Sequence, residues 1–302
     1  MKTSYTLPQR IYHAARRLSP VVLNHEAGYP TPPMDGLDLG EMLKRQANTL
    51  KTSLKGVASS ADSHHIDYRL VAQGDAYAAA RELTASLCNA DLTSLRSDVE
   101  KLAFWINIYN FLVVDAVIQL GIKQSVTEFR GFFDRVGYDI GGCFFSAHDI
   151  EQGILRANAG YPAVPGPQFA KNSPHAECAV SRLDWRVHFA LNCAGESCPP
   201  IAYFGAKSID SQLELAAKSF LNSSAVVVDV EARTATLSKI MQWYAPDFGA
   251  SPLVTLGFGD ASPILWTIAE CIADDEVRVL LENDAESVAV RFSDYDWRLN
   301  GV

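Results

Sequence analysis

The sequence lacks any unbroken apolar run of about 18 residues, the length a bilayer-crossing helix requires. Its most apolar region, residues 111–120, is interrupted by Asp115 and Gln119. It also lacks a basic excess: 26 Lys and Arg against 35 Asp and Glu give a formal net charge of -9. Binding to nucleic acid or an anionic membrane therefore has no electrostatic support. Six cysteines in 302 residues are too few for a disulfide scaffold. The first twenty residues contain no continuous apolar leader. Together these absences predict a cytoplasmic protein with reduced thiols. No Walker loop, dinucleotide glycine fingerprint or HExxH motif occurs, so nucleotide and metalloprotease chemistry lose their usual support. No cofactor and no metal is expected.

What remains is an ordinary globular composition, 48% hydrophobic and 20% charged. A chain this long can bury a full core as one large domain, or as one domain with a helical extension. Residues 1–95 read as that extension. "YPTPPMDG" is a proline-rich connector, "LDLGEMLKRQANTLKTSLKGV" an amphipathic helix, "ASSADSHH" a loop and "DAYAAARELTASLCNA" a second helix.

Residues 96–302 read as an α+β domain. Ser97 and Glu100 form a capping box at the start of a helix with apolar residues on nearly every side, which Gly121 ends in the left-handed conformation. That helix belongs in the centre of the core. Asn107 and Asn110 lie one turn apart on it and need hydrogen-bond partners if buried. Further on, Gly141 and Gly142 make a turn, and Ser146 with Asp149 can cap a short helix. Gly153 inside that helix predicts the close approach of another backbone. "AGYPAVPGPQFAKNSPH" reads as an exposed loop. From Trp185 to Cys193 apolar and polar residues alternate with the period of a strand. A helix ("SQLELAAKSFLN"), a hairpin ("AVVVDVEARTATLSKI"), two more helices and a last strand follow. Helices first and hairpin-linked strands later predict a central helix on a mainly antiparallel sheet.

The chemistry concentrates in "VHFALNCAGESCPP", residues 187–200. On a strand, His188 and Asn192 would share a face roughly 13 Å apart, so a joint role needs a third group between them. Cys193 falls on the apolar face as a small core residue. Cys198 precedes a proline, is held extended and presents its thiol, which His188 could activate if the loop folds back. A His188/Cys193/Cys198 zinc site and a Cys193–Cys198 disulfide are the alternatives at this loop. Cys143 is an alternative thiol. Glu151 and Arg156, at either end of a short helix, read as a site pair or as an ordinary ion pair.

Three segments together resemble the domain of unknown function 547 family: "KLAFWINIYNFLVVDAV", "IGG…S…DIEQGILR" and "HFALNCAGESCPP", with "YDWRLN" similar to its ending. By resemblance the matched positions include Trp105, Asn107, Asn110, Glu151, Arg156, His188, Asn192, Cys193 and Cys198. Cys143 and Gln152 depart from the pattern. A weaker resemblance is to papain-like and transglutaminase-like cores, in which a central helix precedes strands carrying histidine. The function expected is a cysteine-dependent hydrolase or acyl transferase on a peptide or amide-like substrate. Cys198 is the nucleophile, His188 the base, Asn192 and Asn107 orient or stabilise charge, and Glu151, Arg156, Asn110 and Trp105 bind substrate. A small molecule or a peptide is the partner expected, and the alternative function is a non-catalytic module that binds a peptide or a partner protein.

Overall fold

A long helix can be this apolar only if protein surrounds it, and Asp98–Gln119 is buried from Leu102 to Val117. A computed structural model of the chain describes residues 4–16, 18–24, 34–55, 66–162 and 164–301. They form two units whose segments interleave along the sequence. The first comprises residues 1–183, 191–209 and 297–302, the second 184–190 and 210–296. The division does not fall at residue 95. The loop expected over residues 58–65 lies outside the described residues, as does most of the proline-rich connector.

The first unit contains α1 (Leu7–Arg16), β1 (Val21–Val22), β2 (Met34–Asp35), α2 (Gly36–Lys55), α3 (Tyr68–Gln73), α4 (Asp75–Ser86), β3 (Ala90–Asp91) and α5 (Asp98–Gln119). After α5 come α6 (Phe132–Arg135), β4 (Val136–Ile140), β5 (Cys143–Ser146), a π-helix over Asp149–Leu155 and α7 (Pro174–Glu177). Ser97 and Glu100 close the capping box at the start of α5, and Gly121 takes φ 64° beyond its end. α2 lies against α5 so closely that a Cβ on Gly40 would come within 2.8 Å of the Phe104 ring. Leu39 and Leu43 are buried on the same helix. The residues before 95 therefore complete the core around α5.

By length and composition α5 could cross a membrane, but 89% of its most apolar window is buried inside the protein. It also carries a charge that lipid would not accommodate. Asp115 is fully buried and receives hydrogen bonds from Tyr77 (2.7 Å), Tyr138 (2.7 Å), Gln119 (2.7 Å) and Arg81 (3.2 Å). Those donors tie α4 and β4 to the central helix.

The α+β class holds, in small mixed sheets rather than one mainly antiparallel sheet. β4 and β5 form an antiparallel hairpin on the Gly141–Gly142 turn, β1 adds to β4 in parallel, and β2 pairs β3 in parallel. Ser146 and Asp149 do bond each other, through Ser146 Oγ to Asp149 Oδ2 at 2.9 Å. The helix that follows is π-type, with Arg156 N donating to Glu151 O. Its Gly153 accommodates a side chain rather than a backbone, since a Cβ there would overlap the Phe169 ring. Phe169 is fully buried, so the proline-rich segment expected to be exposed contributes to the core. Gly153→Ala should cost about 1–3 kcal/mol, the range for overpacking, read as a lower urea midpoint at unchanged slope.

The second unit contains α8 (Ile209–Leu221, whose first residue belongs to the first unit), β6 (Val226–Asp229), β7 (Thr234–Leu237), α9 (Lys239–Trp243), α10 (Pro252–Thr255), α11 (Ser262–Ala269), α12 (Asp275–Asp284) and β8 (Ala289–Phe292). The expected hairpin forms between β6 and β7, and β8 joins β7 in parallel. Leu221, Leu237, Met241, Phe248, Ile264 and Leu281 are core residues of this unit.

Candidate functional site

The stretch Trp185–Phe189 is not a strand. It is a 3-10 turn capped by Asp184, whose carboxylate accepts from Arg186 N and from the Arg186 guanidinium. Local side-chain bonds of this kind compete with sheet pairing and override the two-residue alternation. Val187 through Asn192 are all buried, so there is no polar face for His188 and Asn192 to share. His188 belongs to the second unit and Asn192 to the first.

Within the second unit His188 Nε2 lies 2.7 Å from Asp247 Oδ2, and the ring stacks on Tyr244 at a centroid distance of 4.0 Å. The histidine side chain is 1% exposed and that of Asp247 5%. The pair is a buried one. Asp247 is a partner that sequence reading passed over, since 59 residues separate it from His188 and no motif joins the two.

The polar cluster of the first unit forms around residues 192–204. Asn107 grips the backbone of one residue with both ends of its amide: Nδ2 donates to Phe204 O (2.8 Å) and Oδ1 accepts from Phe204 N (2.7 Å). Asn110 donates to Ala202 O and accepts from Asn192 N at 2.9 Å. Asn192 donates to Pro199 O (2.7 Å) and accepts from Ala194 N (2.9 Å) and Asn300 Nδ2 (3.3 Å). Tyr68 in turn donates to Asn300 Oδ1. These amides satisfy loop backbone that burial would otherwise leave unpaired. They hold the loop in place. The C-terminal segment closes it, with Glu196 N donating to Arg298 O and Asn300 N to Ala194 O.

Held inside this loop is a disulfide between Cys193 and Cys198. The reduced-thiol expectation fails at this pair, and so does Cys193 as a simple core residue. Cys198 does not present a free thiol; it is 5% exposed and bonded to its neighbour. Its Sγ also accepts from Cys193 N at 3.1 Å and Gly195 N at 3.3 Å. Ala194, between those two amides, has φ 65°, a left-handed conformation, and its own N–H goes to Asn192 Oδ1. The two sulfurs bonded to one another are not available as a zinc pair.

The other expected site residues have structural surroundings. Trp105 is fully buried between Phe104 and Phe145. Arg156 is buried and donates to Gln152 Oε1 (2.7 Å) and Gly160 O (2.5 Å). Glu151 is buried and accepts from Tyr109 OH at 3.3 Å. Cys88, Cys143, Cys178 and Cys271 are free, and burial pushes every one of their thiols above the ordinary value. Among the described residues no group of three His, Cys, Asp or Glu side chains is placed to hold a metal ion.

Residues 92–221 match the family model of DUF547, described as a protein of unknown function. This segment is similar to the DUF547 family. It contains α5, the π-helix and the whole disulfide loop, while residues 222–302 lie outside the match. No curated protein and no solved structure matches the chain. The papain-like likeness thus has no structural counterpart to support it.

Proposed function

We propose that this chain carries a reversible dithiol–disulfide site, with Cys198 as the sulfur stabilised in the thiolate form. One observation supports this reading above all. Cys198 Sγ sits in a disulfide and also faces two main-chain N–H donors, those of Cys193 and Gly195. Hydrogen bonds to a thiolate favour it over the thiol and make it a better leaving group. Cys193 is the more exposed partner. A small external thiolate attacks the Cys193 sulfur, forms a mixed disulfide with it, and releases Cys198 as thiolate onto the two amides. A second thiol then resolves the mixed disulfide, leaving two reduced cysteines and an oxidised reductant.

In the reduced state the same thiolate is equipped for acyl transfer, which is the second reading: a cysteine-dependent hydrolase or acyl transferase on an amide-like substrate. The two donors favour it as well. The binding-module alternative draws instead on the asparagine-held loop.

Equilibration of the folded chain in glutathione buffers of graded poise tests the first reading. Cys193 and Cys198 should pass together through one two-electron transition, and Cys198→Ser should trap glutathione on Cys193. A pair that stays oxidised in the folded protein, or a variant that traps nothing, overturns it. Incubating reduced protein with a p-nitrophenyl ester tests the second reading, which requires a thioester on Cys198 in the mass spectrum.

A further inference from the structure

A second histidine–aspartate pair, apart from the cysteine loop, lies within the first unit. His148 immediately precedes the π-helix, and its Nδ1 is 2.8 Å from Asp134 Oδ1 on α6. The ring is flanked by Phe133 at 5.8 Å and Tyr161 at 5.0 Å. The hydrogen bond fixes one edge of the imidazole, and the two aromatic rings pack against it. The opposite edge differs: Nε2 has no hydrogen-bond partner among the described residues, and the side chain is 15% exposed. His188, by contrast, is 1% exposed and spends its Nε2 on Asp247.

A carboxylate on Nδ1 fixes the tautomer with the lone pair on Nε2 and stabilises the imidazolium that forms when Nε2 takes a proton. We infer that His148 is a general base of a hydrolytic site, that Asp134 is its positioning residue, and that the substrate is a small uncharged acyl ester. No Ser, Thr or Cys side chain is bonded to Nε2 among the described residues, so the nucleophile is water. Nε2 takes a proton as the water oxygen adds to the acyl carbon. The tetrahedral intermediate then expels the alkoxide, which takes that proton back. Ester and water give acid and alcohol, with His148 restored.

The surroundings argue for an uncharged substrate. Asp134, Asp149 and Glu151 all act on His148 electrostatically. Asp134 is shared with Arg16 at 3.4 Å, and His13 lies within electrostatic reach of the same groups. Three carboxylates against one arginine disfavour an anion. Burial alone would pull His148 down, but the hydrogen bond and charge of Asp134, aided by Glu151 and Asp149, outweigh it and raise its pKa above 6.5. Burial likewise pushes Asp134 up, and His148, His13 and Arg16 outweigh it, so Asp134 falls below its ordinary value.

The test uses full-length protein carrying Cys193→Ser and Cys198→Ser, so that thiol chemistry at the loop cannot contribute. Steady-state hydrolysis of p-nitrophenyl acetate is followed against pH. Turnover should rise with the loss of one proton at a midpoint above 6.5. His148→Gln should lower kcat/KM at least about a hundredfold, the lower end for a general base. Asp134→Asn should shift the midpoint downward, which a merely structural loss would not do. Diethylpyrocarbonate provides a check without substitution: modification mapped to His148 should abolish turnover, and hydroxylamine should restore it. No turnover above buffer, full activity in folded His148→Gln, or turnover persisting with His148 modified overturns the inference.

Discussion

Asp115→Ala is expected to cost about 3–5 kcal/mol, the range for removing one member of a buried charged network, a large part of the roughly 5–15 kcal/mol that holds a typical domain together. Asp115 is fully buried and accepts four hydrogen bonds, two of them from tyrosine hydroxyls. Tyr138 is also fully buried, so its hydroxyl would lose its acceptor where water cannot easily replace it. Burial, reinforced by the Asp115 charge, holds the Tyr138 and Tyr77 phenols well above the ordinary tyrosine value. They therefore act as donors throughout the accessible pH range. Asp115→Asn keeps the volume and one acceptor oxygen and should lose clearly less. Urea unfolding of both variants checks this: equal losses, or an alanine variant within 1 kcal/mol of the parent, would mean that the network contributes little. The loss should include part of the docking of α4 and β4, because the polar groups of Tyr77, Arg81 and Tyr138 all meet at this one side chain.

That network also marks how far the sequence can be read. α5 was legible because its signals are local: a capping box, an apolar surface and a terminal glycine all lie within 25 residues of one another. Asn107 and Asn110 were legible as needing partners, though not which ones, because Phe204, Ala202 and Asn192 are 82–97 residues away. The stretch from Trp185 misled because alternation over a few residues resembles a strand, whereas the Asp184 cap and Arg186 fork stabilise a turn. The interleaved units were invisible for a different reason. The chain crosses between the units at residues 183–184, 190–191, 209–210 and 296–297, none of them marked by a proline- or glycine-rich linker. His148 was passed over because Asp134, fourteen residues earlier, sits on another element.

The second large effect concerns which sulfur reacts once the protein is reduced. At pH 7 iodoacetamide should modify the loop cysteines first and leave Cys178 almost untouched. Burial lifts the Cys178 thiol to about 12, more than three pH units above an ordinary thiol at about 8.5. Three pH units correspond to a thiolate population about a thousandfold smaller, and the thiolate is the reacting species. Cys88, Cys143 and Cys271 are shifted in the same direction, with burial the first cause in each. Cys198 has two main-chain N–H donors on its sulfur, and Cys193→Ser isolates it while retaining both. In that variant the alkylation rate should reach half its plateau below about 8.5, the value of an unperturbed thiol. A midpoint at or above that value would show that the amides do not stabilise the thiolate. Exchange at this pair would then lack the good leaving group on which the redox reading depends, while Cys193, attacked only as a disulfide, could not compensate for it.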